Sequence, residues 1–305
     1  MIFIDEARSA ELGSHEMAYP AIRDALIAAI QPDAASYPVV IGHASDPRNR
    51  FTLKSASTAD MAGVKVGSYF LTNDAVGLPR HGSMILLFDQ TIGRIGAIVE
   101  SGRLNAYRTA AADAVAADAL ARSDSRVLTV FGTGNQAAFE VEALARIRPL
   151  ERILVVGRTP EKAADLVARL TAQGLPATAA ADAESACRSA DIVVTATSAQ
   201  APLFQAEWIR PGTHLASMGS DGRGKQELPT GLYDRARLFC DLPDQSREVG
   251  EFQHAPAGTP LTAIGAVLSG AAPGRRDDSD ITVFDSSGIS LQDLFIAAAV
   301  IRANG

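Results

Sequence analysis

The stretch Val127–Ile147, VLTVFGTGNQAAFEVEALARI, constrains the fold of this chain more than any other. An apolar run from Val127 to Phe131 stops at Gly132, Thr133 and Gly134. Helical periodicity follows at once, with Phe139, Val141, Leu144 and Ile147 forming an apolar face among Glu140, Glu142 and Arg146. That order is strand, glycine turn, helix. Gly132 permits a sharp turn and Gly134 lets the backbone approach a pyrophosphate. The helix opening at Asn135 and Gln136 aims free N–H groups and its positive dipole end at that anion. Ala137 holds the third glycine position of the dinucleotide fingerprint and is small enough for close helix–strand packing.

Alone, GxGxxA is a weak signal; its context strengthens it. The run from Arg152 to Val156 stands where a second Rossmann strand should, and it ends in Gly157, Arg158 and Thr159. A carboxylate at that strand end would hydrogen-bond a ribose 2′-hydroxyl and repel a 2′-phosphate. Arg158, with Thr159 beside it and Lys162 a turn later, favours the phosphate. The expected cofactor is NADP(H), with NAD(H) as the alternative.

The chain of 305 residues is long enough for two domains. It is 47% hydrophobic and 21% charged, an ordinary globular composition. A net charge of −7 argues against a nucleic-acid partner, which would need a basic patch. No apolar run approaches the ~20 residues that cross a bilayer, so no membrane partner is expected. The N-terminus is acidic where a signal peptide would be basic. Cys187 and Cys240 are too few for a disulfide framework or a metal knuckle, and a cytoplasmic location is the expectation.

Residues 15–30 alternate at helical spacing, with Pro20 expected to bend or restart the helix. Short strands are expected over residues 37–42, 51–57, 63–70, 83–88 and 94–100, separated by turn formers. They suggest an antiparallel sheet or an open barrel. An alanine-rich helix over residues 103–121 follows, fit to be buried and to join two domains. Rossmann strands are expected over residues 127–131, 153–156, 177–179, 192–196, 214–218 and 238–240, with helices between them. The carboxyl ends of such strands face the cofactor, which brings in Ala196, Thr197 and Ser198, and Met218 and Gly219. A strand over residues 280–284 and a helix over residues 290–302 are expected to rejoin the first domain. The fold class is α/β, with a doubly wound Rossmann domain (residues 122–275) inserted in an α+β domain (residues 1–121 and 276–305).

Lys65 and Lys54 lie in predicted strands, where alternation leaves open whether each faces solvent or a pocket. Arg108 lies in the alanine-rich helix; a buried guanidinium there needs an anion, either a substrate carboxylate or an internal aspartate. Asp221 follows a Rossmann strand in a glycine-rich loop, as a ligand-facing carboxylate or a turn former. Lys225 and Glu227 suit the holding of that loop. His81 is a loop histidine, either a pocket donor or exposed. No metal-ligand spacing and no Ser-His-Asp arrangement is evident.

The strings Gly63-Val-Lys65, Gly77-Leu-Pro79, Leu87-Phe-Asp89, Arg108-Thr-Ala-Ala111 and Gly132-x-Gly134-x-Gln136 resemble the ornithine cyclodeaminase/μ-crystallin family. So do Met218-Gly-Ser-Asp221 with Lys225 and Glu227-Leu228, and Phe284-Asp-Ser-x-Gly288. The resemblance spans nearly the whole chain in order. It implies a substrate and dimerisation domain built from both chain ends, a homodimer, and NAD(P)-dependent chemistry at the α-carbon of an amino acid. By the same resemblance Lys65 contacts the substrate carboxylate and assists proton movement. Arg108 clamps that carboxylate, and Asp221 exchanges a proton with the substrate nitrogen.

The early arginine of cyclodeaminases is missing from residues 38–41, where valine and isoleucine stand, and Lys54 is the candidate substitute. The Lys54 and Gly63-to-Tyr69 pattern and the Gly157-Arg158-Thr159 turn are closer to members that reduce imines. The expected activity is that of an NAD(P)H-dependent imino-acid (ketimine) reductase, its partner a small amino or imino acid held by Lys65, Arg108, Lys54 and His81. The alternatives are ornithine cyclodeaminase and a non-catalytic, μ-crystallin-like binder of NADPH.

Overall fold

A computed structural model describes all of residues 1–305. The chain divides into two compact units, Met1–Arg108 with Ile289–Gly305, and Thr109–Gly288.

The first unit opens with strand β1 (Ile2–Ile4) and helices α1 (Glu6–Leu12) and α2 (His15–Ala28). Ser14 caps α2, its hydroxyl accepting from the Met17 amide at 3.1 Å. Of the expected bend or restart at Pro20, the restart does not occur, and the helix is continuous through it. Strands β2 (Ala35–Ser36), β3 (Val40–His43), β4 (Arg50–Ser57), β5 (Ala62–Tyr69), β6 (His81–Asp89) and β7 (Arg94–Glu100) follow. They form one open sheet in the order β1-β7-β6-β5-β4-β2, with β3 also on β4. All pairings are antiparallel except that of β1 with β7. Of the two expected arrangements, sheet and open barrel, the sheet is the one formed.

Helix α3 (Gly102–Leu120) carries the chain from the first unit into the second. Its alanines have the highest helix propensity, and nearly all are buried.

The second unit alternates strand and helix: β8 (Val127–Phe131), α4 (Asn135–Ile147), β9 (Arg152–Val156), α5 (Pro160–Ala172), β10 (Ala177–Ala179), α6 (Ala183–Ser189) and β11 (Ile192–Thr195). β12 (His214–Ser217), β13 (Ala236–Cys240), α7 (Pro243–Val249), β14 (Thr262–Ala263), α8 (Ile264–Leu268) and β15 (Ile281–Asp285) complete it. Every strand pairing is parallel, in the order β10-β9-β8-β11-β12-β15-β13-β14. The central strands β11, β12 and β15 are buried along their whole length, as expected where helices cover both faces of a parallel sheet.

Helix α9 (Ser290–Ala303) returns to the first unit and lies across β4, β5 and β6. Leu294 fits against Gly63, where an added Cβ would stand 2.7 Å from it and 2.5 Å from the Leu86 carbonyl oxygen.

The expected boundaries at residues 122 and 275 require correction. β15 does not rejoin the first unit; it sits between β12 and β13 in the parallel sheet. Its run ITVFD has no outward-facing polar row and suits only a strand covered on both sides. The second unit therefore extends to Gly288, and on the other side it begins inside α3 at Thr109. No helix is long and apolar enough to cross a membrane.

Candidate active site

In the first unit, strand alternation places Lys65 on the same sheet face as Gly63, which α9 covers. Lys65 is 6% exposed, so the inward reading holds. Its ammonium donates to Asn105 Oδ1 at 2.6 Å and to Asp293 Oδ1 at 2.9 Å. Asn105 and Arg108 are three residues apart in α3, hence neighbours on one helix face. The Arg108 guanidinium donates to Asn105 Oδ1 from Nη2 at 2.7 Å and from Nε at 3.2 Å, and to Gln292 Oε1 from Nη1 at 3.2 Å. Its Nε also lies 3.4 Å from Asp293 Oδ1. The internal aspartate considered for Arg108 is thus Asp293, in the first turn of α9, where the helix dipole favours a carboxylate.

Burial pulls the Lys65 ammonium down to about 8; Asp293 works against this, while Arg108 and Lys54 add to it. Burial alone would raise the Asp293 carboxyl, but Lys65, Arg108 and Lys54 more than offset it and hold it below the ordinary carboxylate range. Lys54 is directly opposite Lys65 in the β4–β5 register and so shares its face. His81 is exposed at the start of β6, opposite Tyr69 and four residues along from Ile85, the β6 partner of Lys65.

In the second unit, Gly132 adopts φ +123°, and a Cβ there would meet the Ala196 carbonyl oxygen at 2.5 Å. Only glycine serves. Gly134 is the N-cap of α4, with no side-chain cap and no acidic residue in the first turn. A Cβ on Gly134 would meet nothing within 4 Å. The uncapped N-terminus of α4, at Asn135 and Gln136, with open space at Gly134, fits a bound pyrophosphate. Thr133 packs at Gly157, at the end of β9. Arg158, Thr159 and Lys162 are exposed.

The strand ends at Ala196, Thr197 and Ser198 and at Met218 and Gly219 are tied together by Glu227. This buried carboxylate accepts from the Thr197 amide and hydroxyl, both at 2.7 Å, from the Thr195 hydroxyl at 2.8 Å and from the Gly219 amide at 2.9 Å. Glu251, whose carboxyl burial raises, holds the same loop from below by accepting from the Glu227 and Leu228 amides. Asp221 is exposed in the loop after β12 and takes the Lys225 ammonium as its ion-pair partner, which fits the loop-holding part expected of Lys225.

The structure thus gathers Lys65, Arg108 and Lys54 on one face of the first unit. Asp293, Asn105 and Gln292 complete that cluster and were missed in the sequence. The polar pair Gln292 and Asp293 inside the otherwise apolar run SLQDLFIAAAV was the available signal.

A doubly wound sheet with a glycine turn at the N-terminus of α4, and Lys65 and Arg108 gathered on the buried Asp293, define the class of dinucleotide-dependent α/β enzymes. The model of the ornithine cyclodeaminase/mu-crystallin family matches residues 8–304, and the chain belongs to that family. It is 37% identical over 310 residues to the iminosuccinate reductase of Paracoccus denitrificans, covering 99% of this chain and 96% of the relative. The crystal structure of that reductase in complex with NAD+ superposes with a TM-score of 0.93 at 35% identity, over 99% and 96% of the two chains. An archaeal alanine dehydrogenase dimer with bound NAD gives a TM-score of 0.92 at 29% identity, over 99% and 95%. The Thermococcus litoralis Δ1-pyrroline-2-carboxylate reductase in complex with NADH and L-proline gives 0.91 at 25%, over 99% and 97%.

Proposed function

We propose that this chain is an NAD(P)H-dependent reductase of 2-imino acids that forms L-amino acids. The observation that carries the reading is the pair of cations, Lys65 and Arg108, held on one buried carboxylate, Asp293. Two cations against one anion leave room for a substrate carboxylate, and the relatives named above act on imino or amino acids. A reduced nicotinamide held at the glycine turn would supply a hydride to the imine carbon. Lys65 and Arg108 orient the carboxylate, Asn105 and Gln292 fix the Arg108 plane, and Asp221, exposed to water, relays a solvent proton to the nitrogen. The C=N bond becomes CH–NH, the two electrons being those that the nicotinamide would supply.

NADP(H) is the preferred cofactor in this reading. Arg158 and Lys162 are exposed and carry no ion pair, and no carboxylate stands at the end of β9. The active form is a homodimer, supported by the apolar outer face of the first sheet and by the dimeric archaeal neighbour. The buried free thiols of Cys187 and Cys240 suit a reducing compartment, and residence in the cytoplasm belongs to the same reading.

Absorbance at 340 nm, followed with NADPH and NADH against cyclic imino acids and against 2-oxo acids mixed with ammonia or methylamine, tests the reading. Stoichiometric oxidation is expected with at least one imine. Asp221→Asn should lower turnover by about 100-fold or more while dinucleotide binding persists. A flat trace throughout, with ornithine yielding proline and ammonia without net redox change, would make the protein a cyclodeaminase instead.

A further inference from the structure

We propose that Gln253, with His254 beside it, positions Asp221 for its proton transfer by fixing the loop after β12. This rests on the reading above that Asp221 relays a proton to the substrate nitrogen. A relay must stand at a defined distance, since misplacement by about 1 Å can cost on the order of 100-fold in rate. Little packing holds the loop there. A Cβ at Gly222 or Gly224 would meet nothing within 4 Å, and Gly224 adopts φ +78°. Asp221 between them and the strand is exposed. Glycine segments lose the most conformational freedom on being fixed, so this loop keeps one shape only through hydrogen bonds to something rigid.

Gln253 supplies those bonds from the 3-10 turn Glu251–His254. Its Oε1 accepts from the Gly224 amide at 2.8 Å. Its Nε2 donates to the Gly250 carbonyl at 2.8 Å, to that of Gly222 at 3.2 Å and to that of Lys225 at 3.4 Å. The amide is thereby fixed in one orientation, because a flipped one would set its N–H against the Gly224 N–H and its oxygen against three carbonyls. His254 Nε2 reaches the same Lys225 carbonyl at 2.8 Å, and since a carbonyl only accepts, that nitrogen carries the hydrogen. From Lys225 the hold passes to Asp221. The Lys225 ammonium pairs with Asp221 and donates to the Gly219 carbonyl at 3.1 Å. The base under Gln253 is rigid: Phe252 is buried in the second unit's core, edge-on to Tyr233 at 5.7 Å. Glu251 accepts from the Leu228 amide at 2.8 Å and from the Tyr233 hydroxyl at 3.3 Å. The same short turn thus anchors the Asp221 loop through Gln253 and the chain beyond it through Glu251.

The test is a double-mutant cycle of Gln253→Ala and Asp221→Asn, with the imine most rapidly reduced in the 340 nm assay. Gln253→Ala alone should lower kcat about tenfold or more. Its NADPH affinity should stay within about twofold of wild type, which also shows that the variant folds. In the Asp221→Asn background the same change should lower kcat no further, because a residue that acts through Asp221 has nothing left to position. An equal loss in both backgrounds, or no loss in the wild type, would overturn the proposal. Trypsin gives a reading that needs no turnover, since it cuts after Arg223 and Lys225 within the loop itself. Cleavage at those two bonds, followed by mass spectrometry, should be at least about tenfold faster in Gln253→Ala than in wild type. If Gln253→Ala loses NADPH binding altogether, His254→Ala, which removes a donor from the same Lys225 carbonyl, takes its place in both comparisons. Should Asp221→Asn turn over as fast as wild type, the proton-relay reading falls, and the tryptic rates alone decide whether Gln253 holds the loop. Faster cutting then supports that hold, and equal cutting overturns it.

Discussion

Lys65 sits in a balance between desolvation and charge. Burial favours its neutral form, Arg108 and Lys54 push the same way, and Asp293 alone pulls back, leaving the ammonium at about 8. The unfolded chain holds this proton up to its ordinary value near 10.5, so between about 8 and 10.5 the unfolded state binds more protons. The destabilisation from burying the charged lysine is therefore full below pH 8 and is relieved as pH rises through that window. On the proposed reading activity runs the other way, because only the ammonium holds a carboxylate. The alkaline limb of kcat/KM should fall near pH 8, and Asp293→Asn should move it to lower pH by removing the one group that supports the charge. A pH–rate profile in which the limb stays in place or moves up would detach Lys65 from that limb. Removing one partner of a buried pair should also cost about 3–5 kcal/mol of stability, read by denaturant unfolding near pH 7.

At the scale of elements, the turn from β8 to α4 and the end of β9 set the cofactor. Gly132 is fixed by its positive φ and by the Ala196 carbonyl, and Glu227 locks the neighbouring strand ends by five hydrogen bonds from Thr195, Thr197, Ser217 and Gly219. On the proposed reading, selectivity between the two dinucleotides falls to Arg158, with Lys162 in support. Arg158→Ala should lower the preference for NADPH over NADH by about 10–100-fold, the worth of one charge-assisted hydrogen bond, in paired fluorescence titrations. Equal weakening of both cofactors would place Arg158 outside the 2′-phosphate site.

At the scale of the molecule, the outer face of the first unit's sheet is apolar and uncovered. Phe3, Val40, Phe51 and Val66 are exposed there, with Leu53, Val64, Met84 and Leu86 half-buried beside them. A contiguous apolar sheet face marks an interaction surface. Val66→Asp, at the centre of that face, should convert a dimer to a monomer in sedimentation velocity; a dimer that persists would move the interface elsewhere. The doubly wound sheet, the glycine turn and the longer strands were legible in the sequence, though not the short β1, β2 and β14, because each is written in short-range periodicity and in residues such as Gly132 that only one backbone conformation explains. Lys65 and Arg108 could be singled out for the same reason, as charges among small apolar neighbours. Their partners could not. Asp293 is 228 residues from Lys65 in the chain, and what brings them together is the packing of α9 on β5 at Gly63. The place of β15 was equally hidden, since a run of five apolar-rich residues reads alike in either unit and only burial on both faces distinguishes them. The sequence by itself determined the local elements and the chemistry each could carry. Which charges face one another, and which side of a sheet water reaches, was decided by tertiary packing, because pairing and desolvation depend on distance in space and not along the chain.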